Sequence, residues 1–165
     1  MPLIQPFAPA DQGDILALIL GIQRNEYGIA ITAADQPDLT SIKDFYLPGA
    51  GGFWVARDGS QLVGTIALKD IGSGAGALRK MFVAPSHRGR AAGVAQALLD
   101  QLLDTARNRG LAHIYLGTTA RFLAAHRFYE KNGFALVAVD DLPDTFPRMA
   151  VDSRFYRRSI SQPGS

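Results

Sequence analysis

The most constraining feature of this sequence is a strand, a long amphipathic helix and a second strand in direct succession. A stripe of apolar residues at helical spacing predicts a helix over Arg90 to Asn108 that buries one face. The members of the stripe are Val94, Ala95, Leu98, Leu99, Leu102, Leu103 and Ala106. Strands are predicted on either side, over Ala77 to Val83 and Ala112 to Leu116. Such a unit joins two parallel strands through a right-handed crossover, so the sheet must contain at least one parallel pair.

The remaining elements predict that the other strand pairs are mostly antiparallel. Asp58-Gly59 between two apolar runs is a strong hairpin signal. The strands predicted outside the crossover unit are Leu3 to Phe7, Phe53 to Arg57, Gln61 to Leu68, Phe134 to Val139 and Met149 to Tyr156. The other predicted helices are Asp11 to Arg24, Leu39 to Tyr46 and Arg121 to Asn132. This order predicts an α/β (α+β) fold with a mixed, mostly antiparallel sheet of six to seven strands and helices on both faces.

Composition narrows the classes of function. The 165 residues predict one domain over residues 1–159, with residues 160–165 as a flexible tail. The absence of cysteine excludes disulfides, cysteine-ligated metals and a thiol nucleophile. With 17 Lys and Arg against 15 Asp and Glu, the charge is too small to predict a nucleic-acid partner. No signal-peptide pattern or membrane-length apolar run is present, so we expect a cytoplasmic protein with no membrane partner.

The segment between the crossover strand and its helix carries the most chemistry. It reads Met81-Phe82-Val83-Ala84-Pro85-Ser86-His87-Arg88-Gly89-Arg90-Ala91-Ala92-Gly93. Free N–H groups at a helix start attract anions, small residues allow close approach, and the arginines add charge-assisted hydrogen bonds. These features predict a pyrophosphate site. An ordinary strand-to-helix loop with solvated arginines is the alternative.

Two motifs in this sequence resemble those of the GNAT N-acetyltransferase family. Arg88-x-x-Ala91-x-Gly93 after the strand is similar to the acetyl-CoA signature, and Phe128-Tyr129 before Asn132-Gly133-Phe134 is similar to the second signature. Ala91 stands where the family usually has glycine, and Phe122 where many members have asparagine. The ordered motifs and the element order cover nearly the whole chain.

The resemblance implies how acetyl-CoA would be held and used. Main-chain groups of Met81, Phe82 and Val83 would meet the pantetheine arm, and one N–H would polarise the thioester carbonyl. The pyrophosphate would lie on the loop that ends at Gly93. The residues assigned to this loop are Arg88, Gly89, Arg90, Ala91, Ala92 and Gly93, and Phe128 is also assigned to the acetyl-CoA site. An amine would attack the thioester directly, with no metal and no enzyme nucleophile.

The two proton transfers of this reaction need separate groups. The resemblance assigns Tyr129 as the general acid for the leaving thiolate. The strand Ala77 to Val83 lacks the carboxylate that many members use as the base. Glu26 is the first candidate for the base, His126 the second and a water chain the third. Helical spacing places His126 and Tyr129 on one face of their helix.

Two classes of function are consistent with the sequence. The first is an N-acetyltransferase acting on a small-molecule or peptide amine. The alternative is a non-catalytic acyl-CoA-binding regulatory module. Glu26 favours a cationic acceptor, whereas Arg79 and Lys80 favour an acidic one. Because members of the family are often dimeric, the resemblance also implies a possible homodimer.

Overall fold

A seven-stranded mixed sheet forms the centre of the molecule. The structure is a computed structural model that describes residues 2–89, 93–119, 123–149 and 152–160. The strands are β1 (Leu3–Pro6), β2 (Gly52–Asp58), β3 (Gln61–Gly72), β4 (Ala75–Val83), β5 (His113–Thr118), β6 (Ala135–Val137) and β7 (Arg154–Ser159). Their order is β1-β2-β3-β4-β5-β7-β6, and within the described ranges only β4 and β5 pair in parallel. The predicted mixed sheet and parallel crossover are confirmed.

Helices cover both faces of the sheet. The helices are α1 (Gln12–Asn25), α2 (Pro37–Thr40), α3 (Ile42–Tyr46), α4 (Val94–Asn108) and α5 (Leu123–Lys131). Short 3-10 turns lie at Pro9–Asp11, Ala33–Asp35, Pro85–His87 and Val139–Asp141. The first three helices pack in a core with Phe53 and Val55, whereas α4 packs in a second core with Trp54 and Ala56. Alternate residues of β2 therefore point to different helix layers, as the period of a strand requires.

Several element boundaries differ from the sequence prediction. The helix predicted over Leu39 to Tyr46 is two short helices that meet at Ser41, where the backbone leaves the helical region with φ −139°. The last strand starts at Arg154, not Met149, because Asp152 N–H donates to Met149 O rather than to a neighbouring strand. Hydrogen bonding to β5 begins at Ser153, whose N–H donates to Thr118 O.

The crossover helix buries its predicted stripe. Leu98, Leu99 and Leu102 are fully buried against the sheet. The described helix begins at Val94, and the predicted first residues Arg90, Ala91 and Ala92 lie outside the described ranges. None of the helices in the described ranges is long and apolar enough to cross a membrane.

The C-terminal boundary of the domain lies one residue later than predicted. Ile160 is buried, and its N–H donates to Ala112 O at 2.8 Å, so it belongs to the packed domain rather than to the tail. The flexible tail stays a prediction for residues 161–165, which lie outside the described ranges.

Candidate functional site

The parallel strands at the centre of the sheet separate and leave an opening. Their Cα pairing runs from Ala75 and His113 to Ala77 and Tyr115. Beyond this point β4 continues to Val83 and β5 to Thr118 with no further pairing between them in the described residues. Main-chain groups that a neighbouring strand would satisfy are therefore available at a fork in the middle of the sheet.

The register with β3 shows which main-chain groups point into the fork. Ala84 N–H donates to Val63 O at 2.8 Å, and Phe82 is the Cα partner of Thr65. The direction of the main-chain N–H and C=O groups alternates along an antiparallel strand. The main-chain groups of Phe82 therefore point to β3, whereas those of Met81 and Val83 point into the fork. Of the three predicted pantetheine contacts, the geometry therefore directs Met81 and Val83 at the opening and turns the main chain of Phe82 away.

A β-bulge lies in β4 where it borders the fork. Thr65 pairs with Phe82, but Ala67 pairs with Arg79, so Lys80 and Met81 together oppose one residue of β3. Lys80 has a left-handed backbone with φ +53°, which costs a non-glycine residue about 1–2 kcal/mol. Thr65 Oγ1 donates to Lys80 O at 2.8 Å and holds the bulge. Such strain is concentrated at functional sites, and a lysine gives no sequence signal for it.

The loop after β4 has the geometry expected of an anion site. Gly89 and Gly93 adopt left-handed conformations with φ +101° and +66°, and the space beside each where a side chain would lie is open. Gly93 caps α4, whose first-turn N–H groups have no acceptor within the helix. These groups and the positive end of the helix dipole suit a phosphate. The assignments of Arg90, Ala91 and Ala92 fall outside the described residues.

Arg88 and Glu26, predicted for different roles, bind each other. Arg88 Nη1 and Nη2 donate to the two carboxylate oxygens of Glu26 at 2.5 and 2.9 Å, and Arg88 Nε donates to Val83 O at 2.9 Å. The hydrogen bonds to Glu26 raise the pKa of Arg88. Both carboxylate oxygens of Glu26 are therefore engaged by a charged donor instead of being directed at an amine. This geometry favours Glu26 as a positioning residue for Arg88 rather than as the base.

Tyr129, the predicted general acid, is buried on the inner face of α5. Its ring packs edge-on against Phe128 and Phe134, with centroids 5.6 Å away in both cases. Burial raises the pKa of Tyr129, and the charge of Tyr27 raises it further. The phenol therefore remains protonated at neutral pH, as a proton donor must. Phe128 is half-buried, and its contact with acetyl-CoA stays a prediction.

His126, the second candidate base, is buried with both ring nitrogens engaged. Its Nε2 lies 2.7 Å from Thr119 O, and its Nδ1 lies 3.2 Å from Arg154 Nη1. The neutral tautomer with its proton on Nε2 satisfies both contacts. Because the Nδ1 lone pair accepts from an arginine, this arrangement favours a structural role that ties α5 to β7.

A buried polar network, which the sequence analysis missed, lies beside the bulge. Lys80 Nζ donates to Gln36 Oε1 at 2.8 Å and lies 3.5 Å from Asp38 Oδ2. Tyr46 Oη donates to the same Asp38 oxygen at 2.5 Å, and Gln23 and Gln36 exchange side-chain hydrogen bonds. Burial lowers the pKa of Lys80, which Asp38 partly offsets. The network joins α1, α2 and α3 to the strained residue of β4.

Tyr27, at the end of α1, is another site residue that the sequence analysis did not select. It is half-buried, and burial raises its pKa, while Arg88 lowers it and Glu26 raises it. Its electrostatic influence also reaches Tyr129. Within the described ranges, no group of three or more His, Asp or Glu residues could hold a metal ion.

Comparison with known proteins gives consistent matches. Residues 17–134 match the model of the Acetyltransferase (GNAT) family. An uncharacterized N-acetyltransferase of Escherichia coli, YedL, is 41% identical over 112 residues, which are 67% of each chain. N-acetylaspartate synthetase of Xenopus tropicalis is 35% identical over 66% of this chain and 40% of its own length. The chain spans about half the length of the first curated relatives it matches.

A solved structure shows that the likeness extends over the whole fold. The acetyltransferase of the GNAT family from Staphylococcus aureus Mu50 superposes with a TM-score of 0.91 and 37% sequence identity. The superposition covers 98% of this chain and 100% of the other. The similarity therefore covers nearly the whole of this chain.

Proposed function

The chain belongs to the GNAT acetyltransferase family, and on that premise we propose that it transfers the acetyl group of acetyl-CoA to a primary amine of a small molecule. The observation that carries the proposal is the fork between β4 and β5, next to a loop whose left-handed glycines lead into the N-terminus of α4. A long thiol ester can lie against β4 while its pyrophosphate meets the start of α4. The main chain of Met81 and the N–H of Val83 are the groups that would meet the arm, since Val83 O already accepts from Arg88 Nε.

The proposed reaction is direct transfer. The amine nitrogen attacks the thioester carbonyl carbon, the C–N bond forms, the C–S bond breaks and the sulfur takes a proton. A main-chain N–H of the fork would stabilise the carbonyl oxygen as charge builds on it. Tyr129 would supply the proton, because its phenol is protonated at neutral pH and the family resemblance assigns it this role.

The proposal specifies the chemical class of the acceptor and not an individual compound. N-acetylaspartate synthetase, by its name, makes an N-acetylated amino acid. An amine on a small molecule is accordingly the proposed acceptor for this chain. A cytoplasmic location and a homodimer stay predictions.

One observation favours the alternative, a non-catalytic acyl-CoA-binding module. Arg88 is already paired with Glu26, so binding of a pyrophosphate by Arg88 would exchange one partner for another. Such an exchange suits a switch as well as an enzyme. The two functions differ in one measurement, which is the release of thiol in the presence of an amine.

The test combines binding and turnover. Acetyl-CoA should raise the melting temperature, and thiol release should appear with at least one amine of a broad panel. Tyr129→Phe should lower kcat by about 10²–10⁴-fold with little change in the affinity for acetyl-CoA. Tyr115→Phe, a buried tyrosine on the opposite face of the sheet, is the matched control. Stabilisation by acetyl-CoA without thiol release from any amine would favour the binding module.

A further inference from the structure

The fork between β4 and β5 is flanked by two residue positions that share one face of the sheet. Ala77 and Tyr115 are the last Cα partners of the two strands, and both side chains lie in one buried cluster with Ile71. Side chains two residues apart on a strand share a face. Arg79 and Gly117 are therefore the next positions on that face, one on each side of the fork.

The position of Gly117 is filled by the carboxylate of Asp152. Asp152 Oδ2 lies only 2.6 Å from the point where a β-carbon on Gly117 would stand, so the absence of a side chain lets the carboxylate rest on β5. Met149 N–H donates to the same Oδ2 at 3.0 Å, and Ser153 N–H donates to Thr118 O. These contacts fix the carboxylate at the edge of the fork.

Arg79 lies on β4 and contacts Met149, the residue whose N–H binds the Asp152 carboxylate. Its guanidinium lies 3.4 Å from the sulfur of Met149 and 5.6 Å from the ring centroid of Phe45. Among the described residues, neither Arg79 nor Asp152 belongs to an ion pair within 4 Å. Partial burial raises the pKa of Asp152, while the hydrogen bond from Met149 N–H and the charges of Arg79 and Arg148 oppose this. A cation and an anion thus border the fork without direct compensation.

We propose that Arg79 and Asp152 bind an acceptor of the amino-acid class, with its carboxylate on Arg79 and its ammonium group on Asp152. The proposal rests on the proposed acetyltransferase function, because the amine must reach a thioester in the fork. A planar guanidinium suits a carboxylate and repels a second cation. The arrangement therefore disfavours polyamines and aminoglycosides, which would bring positive charge to both positions.

The assignment also gives the reaction its missing proton acceptor. Asp152 takes one proton from the ammonium group and later releases it to water. The neutral amine attacks the thioester carbon, and Tyr129 gives its proton to the departing sulfur. The second proton of the nitrogen restores Tyr129. The products are an N-acetylated amino acid, free coenzyme A and one proton, so atoms and charges balance.

The first experiment compares matched acceptors on the full chain. The twenty amino acids are each assayed against their carboxamides for thiol release from acetyl-CoA. In parallel, calorimetry measures the binding of the same compounds to the protein saturated with coenzyme A. We expect at least one amino acid to exceed its carboxamide by about 10-fold or more in kcat/KM, as expected for loss of a charged contact.

The second experiment assigns the preference to its residues. Arg79→Gln should lower kcat/KM for the amino acid by about 10-fold or more and bring the ratio of amino acid to carboxamide close to one. Arg79→Lys should restore part of that ratio. Asp152→Asn should lower kcat for both members of a pair. Arg107→Gln and Asp104→Asn, an exposed pair on α4, are the matched controls.

The outcomes separate this inference from the function on which it rests. Equal use of amino acids and carboxamides, or an unchanged ratio in Arg79→Gln, overturns the inference while the acetyltransferase function stands. Binding of an amino acid that depends on Arg79, without turnover, supports the inference and contradicts the proposed function. If no amino acid binds or reacts while another amine is acetylated, the inference is wrong.

Discussion

The buried pair of Lys80 and Asp38 gives a sharp test of how the site is held. Both side chains are 8% exposed, and their charged atoms lie 3.5 Å apart. Asp38→Asn removes the charge but keeps an oxygen that can accept from Tyr46 Oη. The Lys80 ammonium group then remains buried without a counter-charge. Loss of one partner of a buried pair typically costs about 3–5 kcal/mol.

The same structure sets an upper limit on that cost. Lys80 can lose its proton instead of remaining charged, and burial already lowers its pKa. From an ordinary pKa of 10.5, deprotonation costs about 5 kcal/mol at pH 7 and about 2 kcal/mol at pH 9. The destabilisation by Asp38→Asn should therefore be about 3–5 kcal/mol at pH 7 and no more than about 2 kcal/mol at pH 9.

Urea unfolding followed by circular dichroism at both pH values measures this difference. At pH 7 the expected loss corresponds to roughly 6–20 °C in melting temperature for a domain of this size. Lys80→Met in the Asp38→Asn background should recover most of the loss, because no buried charge remains. Asp104→Asn, at an exposed ion pair, is the control and should change stability by about 0.5 kcal/mol or less. A loss below about 1 kcal/mol at pH 7, or one that is equal at both pH values, would refute the reasoning.

Three further predictions concern the loop, the arginine and the acceptor side. Gly93→Ala should lower the free energy of unfolding by about 1–2 kcal/mol and weaken acetyl-CoA binding, because Gly93 has φ +66°. Gly21→Ala in α1, where the added methyl meets open space, is the control and should cause neither loss. Urea unfolding measures the stability and calorimetry measures the binding. Glu26→Gln should tighten coenzyme A binding by up to about 5-fold, because Arg88 no longer leaves an ion pair, and a kcat reduced 100-fold would instead identify Glu26 as the base. Asp152→Asn should raise the free energy of unfolding at pH 7 but not at pH 3. Burial raises the pKa of Asp152, so the folded protein favours the protonated carboxyl. The resulting stability is present below the ordinary pKa of 3.8 and is lost as the pH rises through the pKa of the folded protein. Equal unfolding midpoints of Asp152→Asn and wild type at pH 7 would contradict that burial.

Elements with a strong local pattern could be predicted from the sequence. The stripe of α4 and the Asp58-Gly59 hairpin depend on spacing within one segment, and both are found where they were predicted. The prediction of a single helix over Leu39 to Tyr46 was wrong. The apolar spacing continues across Ser41, but the backbone leaves the helical conformation at that residue. Periodicity reports which face is buried, and it is insensitive to a single residue that leaves the helical region.

The sequence by itself determined the crossover and the resemblance and predicted an anion site in the loop after β4, because these depend on residues close together in the chain. The tertiary structure alone decided which charges meet. It pairs Glu26 with Arg88, buries Lys80 against Asp38 and places Asp152 across the fork from Arg79. Each of these arrangements joins segments that are distant in sequence, and the bulge at Lys80 and the separation of β4 from β5 are not encoded by any local pattern. Chemistry that requires two or more side chains is therefore set by packing, although each side chain alone is visible in the sequence.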